Sequence, residues 1–134
     1  MGLVYAEVTL RNAGDRVRVE HGIIPEVRET TVTAMVDTGA ATIVINEALR
    51  QQLGLMLRDD YRARLADGSK QRYSYADAVE IQWKNRTSVL RPIVVPNAAE
   101  VLLGALPLEE MDLIVSPAQQ ELIGAHGDEP LHRI

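Results

Sequence analysis

The run Thr31-Val32-Thr33-Ala34-Met35-Val36 leads into Asp37-Thr38-Gly39-Ala40, and the chain leaves that turn through Thr42-Ile43-Val44-Ile45. Two apolar, β-branched-rich runs therefore meet at a tight glycine turn whose first residue is a carboxylate. β-branched side chains suit a pleated strand and crowd the preceding turn of a helix. This part of the chain is thus committed to strands, with an acid held at a strand end beside buried ground. In that position burial and a neighbouring charge can tune a carboxyl group for catalysis. Taken without its setting, the same tetrapeptide is a polar turn in which Asp accepts backbone N–H bonds and Gly supplies a positive φ.

The rest of the chain repeats this alternation of short runs and turns. Residues 3–11 read as a first strand, ended by Asn12-Ala13-Gly14-Asp15. Residues 16–20, with Val17 and Val19 alternating with charge, read as a strand with one wet face. Residues 27–36 form a longer strand and 41–45 a short one. Asn46 is placed to cap a helix over Glu47–Leu53, with Leu49 and Leu53 on one face and Gly54 as its stop. Residues 61–65 and the residues from Lys70 onward read as a hairpin around Ala66-Asp67-Gly68-Ser69, because Asp-Gly is a strong turn signal. Residues 78–83 and 87–95 read as a second hairpin around Lys84-Asn85-Arg86. Leu102-Leu103-Gly104 precedes a short helix over 106–111 with Pro107 in its first turn, and 112–115 pairs with 120–123. The expectation is a mostly β chain, one domain over 1–124, with a frayed polar tail over 125–134. Many short strands at this spacing suggest a closed barrel or a sandwich.

Composition narrows the function classes. A chain of 134 residues can bury one real core, and with no Phe and a single Trp (Trp83) that core is built from Val, Leu, Ile and Ala. The net charge is −5 and the linear sequence shows no basic stripe, which argues against a nucleic-acid partner. There is no Cys, hence no disulfide framework, thiolate nucleophile or Cys-based zinc site. His21, His126 and His132 lack metal-ligand spacing and read as surface residues. No apolar run reaches the length of a membrane span, and the N-terminus lacks the basic and apolar regions of a signal peptide, so the expectation is a cytoplasmic protein with no membrane partner. No G-x-S-x-G, P-loop or H-E-x-x-H supports another enzyme class. Ser69 and Lys70 are adjacent and face opposite sides of a strand, so they make no dyad. The pairs Asp59-Asp60 and Glu109-Glu110 read as solvated faces.

The order of elements carries a resemblance: a strand, Val36-Asp37-Thr38-Gly39-Ala40, an apolar strand, a short helix, a glycine-containing hairpin, a strand pair, Leu102-Leu103-Gly104 and a short helix. This resembles the retropepsin-like aspartic proteases, the retroviral enzymes and their single-domain cellular and bacterial relatives, over residues 27–123. The resemblance implies a closed six-stranded-type acid-protease barrel with one or two short helices and one lobe per chain. It implies that Asp37 is the catalytic carboxylate and that the Thr38 hydroxyl locks two active-site loops together. It further implies that Gly39 offers an N–H to the carboxylate, that Ala40 leaves room for a substrate main chain, and that Leu102, Leu103 and Gly104 pack beneath the loop. Ala66, Asp67, Gly68 and Ser69 would form the flap. With one such motif in so short a chain, the second carboxylate must be Asp37 of another copy. The implied protein is a homodimer that hydrolyses a peptide or protein substrate without metal or cofactor.

The chain also departs from the pattern. Ala41-Thr42-Ile43 stand where the retroviral enzymes carry acids that anchor substrate, the hairpin tip has a single Gly, and the tail is a poor strand for a dimer sheet. A rival reading keeps the fold but makes it a dimerisation or peptide-binding module with weak or no proteolysis. A third treats it as an unrelated β module with a chance Asp-Thr-Gly.

Overall fold

The computed structural model describes residues 2–64, 67–96 and 100–134. Among them the chain runs β1 (Tyr5–Asn12), α1 (Asp15–Glu20), β2 (Glu29–Val36), β3 (Ile43–Asn46), α2 (Glu47–Leu53), β4 (Leu57–Arg64) and β5 (Lys70–Ala76). It continues through β6 (Val79–Trp83), β7 (Arg86–Leu90), β8 (Ile93–Val95), β9 (Val101–Leu103), α3 (Ala105–Glu110), β10 (Leu113–Ser116) and β11 (Glu121–Gly124). Nine strands form one sheet in the order β4-β5-β8-β3-β9-β2-β1-β6-β7, and β10 pairs with β11 apart from it.

The chain is mostly β with short helices, as its sequence implies, but the closed barrel is not found. Among the described residues the ladder is open, with β4 and β7 at its ends. Both edges are blunted by charge, which discourages pairing. β4 carries Arg58, Asp59, Asp60, Arg62 and Arg64. On β7 the Val89 N–H donates to the Glu110 carboxylate at 3.3 Å.

The centre of the sheet positions everything that follows. β9 lies between β2, to which it is parallel, and β3, to which it is antiparallel. The end of β2, the end of β9 and the start of β3 therefore meet at Val36, Leu103 and Ile43. Beneath them lies a core of fully buried Leu10, Ile43, Ile45, Leu53, Leu55, Ile81 and Leu103. Each such side chain contributes roughly 1.5–3 kcal/mol by leaving water. α2 has the expected limits. Asn46 Oδ1 accepts the Leu49 N–H at 2.8 Å, Leu49 and Leu53 face the core, and Gly54 ends the helix at φ 67°.

Three expectations are corrected. Residues 16–20 form the helix α1, not a strand. Val17 is exposed and Val19 only half-buried, so the valine alternation addresses no core. The deciding residue is Asp15, fully buried, which meets Arg18 one helical turn on at 2.8 Å. Helical winding makes neighbours of residues at that spacing, and an extended strand does not. The single strand over 87–95 breaks at Arg91-Pro92 into β7 and β8, since Pro92 has no N–H for a ladder. The tail is not frayed throughout. His126 Nδ1 lies 2.9 Å from the Asp112 carboxylate, the Leu131 N–H donates to the same group at 3.0 Å, and the buried Arg86 donates to the Gly127 carbonyl. Among the described residues no helix is long and apolar enough to cross a membrane.

Candidate active site

Asp37 follows the last residue of β2, where the strand can no longer pair and the chain must turn. Its N–H donates to the Leu103 carbonyl at 3.0 Å, which fixes the residue to the end of β9. Its own carbonyl accepts the Ala40 N–H at 3.0 Å and closes the turn. Its Oδ1 accepts the Gly39 N–H at 3.0 Å, which orients the carboxylate outward over the loop. Asp37 is half-buried, while Thr38 and Gly39 are exposed.

Asp37 differs from the ion-paired acids of the chain in what surrounds it. Asp15, Asp59, Asp77 and Asp112 are each ion-paired with an Arg or His. Among the described residues Asp37 has no cation and no partner beyond the Gly39 N–H. A carboxylate held by one backbone bond and otherwise open is able to accept a proton from a bound molecule.

The loop is held from below by α3. The first N–H groups of a helix have no partner within it. Here the Ala105 N–H donates to the Ala40 carbonyl and the Leu106 N–H to the Ala41 carbonyl, both at 2.8 Å. The approach is so close that a Cβ on Gly104 would stand 2.3 Å from the Thr42 carbonyl oxygen and 2.5 Å from that of Ala40. At Gly39 the approach is tight but not closed: a Cβ there would lie 3.1 Å from Asp37 Oδ1 and press on the carboxylate. The φ of Gly39 is not positive, so the left-handed turn is not the reason for the glycine. The buried Thr42 donates its hydroxyl to the Arg91 carbonyl at 3.2 Å, tying the loop's exit to the segment before β8.

The structure thus gathers Asp37, Thr38, Gly39, Ala40, Leu103 and Gly104 at one crossing, with Leu102 on β9 paired to Met35. The contributions of Thr42 and of the Ala105 and Leu106 N–H groups are absent from the sequence reading. A backbone N–H leaves no trace in residue identity, and only Pro107 marks where the helix begins.

The hairpin of β4 and β5 is present as expected. Ala66 lies outside the described residues. Asp67 Oδ1 accepts the Ser69 N–H at 2.9 Å and the Ser69 hydroxyl at 2.6 Å, and Gly68 turns at φ 86°. These bonds hold the Asp67 carboxyl below the usual carboxylate range. Among the described residues no hydrogen bond joins Asp67, Gly68 or Ser69 to the Asp37 loop. A groove of about 570 Å³, lined by Tyr5, Thr9, Trp83 and Lys84 among others, lies across β1 and does not include Asp37.

Comparison with known proteins agrees with this geometry. The family model described as gag-polyprotein putative aspartyl protease matches residues 23–110, which span β2, the Asp37 loop, the hairpin, β9 and α3. No curated protein matches the chain.

Proposed function

The chain belongs to the gag-polyprotein aspartyl protease family, and from that premise we propose that it is an aspartic endopeptidase. Two Asp37 carboxylates, one from each subunit of a homodimer, hold and activate a water between them. The carboxylate left open at the crossing of β2, β3 and β9 is the observation that carries this reading.

Hydrolysis needs a base for the water and an acid for the carbonyl. Two carboxylates in contact share one proton because both cannot remain charged, a property general to aspartic proteases. The charged member takes a proton from the water as its oxygen bonds to the peptide carbon. The protonated member gives its proton to the carbonyl oxygen. The newly protonated member then gives its proton to the amide nitrogen while the other takes one from a hydroxyl of the diol intermediate; the C=O bond re-forms, the C–N bond breaks, and the pair again holds one proton as the two products leave. One chain supplies one such carboxylate, so a second copy completes the site, and a twofold axis places identical loops face to face. Thr38 is exposed, and in the proposed dimer its hydroxyl bonds to the partner loop while the small Ala40 leaves room for the substrate main chain.

The test is a digest of a broad peptide library by the wild type and by Asp37→Asn, whose amide is nearly isosteric but cannot take a proton. Cleavage by the wild type alone is expected. Equal cleavage by both proteins, or none by the wild type from acid to neutral pH, would instead support a peptide-binding module.

A further inference from the structure

The β4–β5 hairpin pairs Arg62 directly with Arg72 and Arg64 directly with Lys70. Residues two apart on a strand share a face, so all four cations stand on one side of the hairpin as two successive rungs. All four are exposed. Elsewhere Arg11, Arg16, Arg28, Arg50, Arg58 and Arg91 are each ion-paired with a carboxylate. Among the described residues none of these four cations has such a partner. Like charges directly opposite each other destabilise a hairpin. In a chain of net charge −5 with 19 acidic residues, the acid that β4 places on this face is Asp60, one rung nearer the root and opposite Ser74.

The arm is anchored at its root. The β4 register shifts between Leu57 and Asp60, and Asp59, inside that irregularity, pairs with Arg91 at 2.6 Å. Arg58 pairs with Asp77, and Ser74 donates to Asp60, both at 2.6 Å. At the root two ion pairs are closed and Asp60 is held by a hydroxyl, while the cations of the outer rungs are left open.

We propose that this face binds an acidic polypeptide segment in extended form. Alternate side chains of an extended peptide recur at about 6.6–7 Å, the spacing of the two rungs, so carboxylates two residues apart meet both. A single-stranded nucleic acid is disfavoured, because such sites combine cations with aromatic stacking on the same surface. Here Tyr73 lies on the opposite face, with its hydroxyl 3.3 Å from Gln71 Oε1. Binding at this arm does not need Asp37. If the peptidase reading also holds, the arm selects substrates that carry an acidic stretch.

The experiment uses the Asp37→Asn protein, so that no peptide is consumed. Fluorescence anisotropy compares a labelled peptide of alternating Glu and Ser with its Gln-Ser counterpart. The acidic peptide should bind and be released by added salt. Replacing Arg62, Arg64, Lys70 and Arg72 together by Gln should weaken binding about tenfold or more. That variant should melt at or above the temperature of its parent, since two repulsive rungs are removed. Equal affinity for the Gln-Ser peptide, or unchanged affinity in the fourfold variant, would overturn the proposal. So would tighter binding of an oligothymidylate of equal charge, or salt-sensitive self-association that the fourfold variant loses, which would make the occupant a second copy. A lower melting temperature in the variant would contradict the repulsive rungs on which the proposal stands.

Discussion

Gly104 shows how far a single residue governs the Asp37 loop. A methyl group there would enter backbone, not a side chain that could swing aside. Gly104→Ala must push α3 away from the loop and weaken the bonds from the Ala105 and Leu106 N–H groups to Ala40 and Ala41. The expected cost is about 1–3 kcal/mol, the range for overpacking, together with a fall in kcat/KM under conditions where the variant is still folded. Thermal melts and peptide cleavage measured together check this, and a variant with unchanged values of both would contradict it. At this scale the sequence was legible where chemistry demands a residue type. In the proposed enzyme Asp37 must be ionisable, and Gly104 must lack a Cβ because backbone atoms stand where it would be. It was not legible where the work falls to backbone atoms, as in the support from α3. Nor was it legible where pairing register decides, as in the basic face of Arg62, Arg64, Lys70 and Arg72, which are scattered in the linear chain.

Among the elements, α2 and α1 were read with opposite success for a common reason. α2 announces itself locally, through the Asn46 cap, the Leu49–Leu53 face and the Gly54 stop. α1 is decided at a distance. Asp15 accepts the Arg28 N–H at 3.0 Å and two bonds from the Arg28 guanidinium, besides the bond from Arg18. Asn12, at the end of β1, donates to the Leu53 carbonyl at the end of α2 and accepts from Arg18. One polar cluster thus fastens α1 to the entry of β2 and the exit of α2, and within residues 16–20 only Arg18 takes part in it. Chiefly the Arg28 guanidinium, and then Arg18, hold the Asp15 carboxyl well below the usual carboxylate range, against the opposing effect of burial. A carboxyl lowered on folding adds stability above its unfolded value of about 4, and that stability is lost as pH falls toward the folded value. Asp15→Asn should therefore cost on the order of 2 kcal/mol at neutral pH, within the range for charge-assisted hydrogen bonds. It should also flatten the loss of stability below about pH 4. Denaturant melts across that window compare the two proteins, and parallel acid limbs would refute the assignment to Asp15.

For the whole molecule, the sheet places one carboxylate at a crossing of three strand ends and leaves the two sheet edges blocked by charge rather than joined. The β content followed from many short β-branched runs. Closure did not, because strand count and spacing say nothing about whether the first and last strands of a ladder meet. A lobe with one Asp-Thr-Gly motif supplies half of the proposed acid–base pair, so in the proposed enzyme activity belongs to the dimer. Mixing wild-type and Asp37→Asn chains at constant total concentration, with time for subunit exchange, measures this directly. If each working site needs Asp37 from both subunits, activity falls as the square of the wild-type fraction, and an equal mixture keeps about a quarter of it. A fall in direct proportion to the wild-type fraction would mean that each chain carries a complete site of its own, and would contradict the shared pair.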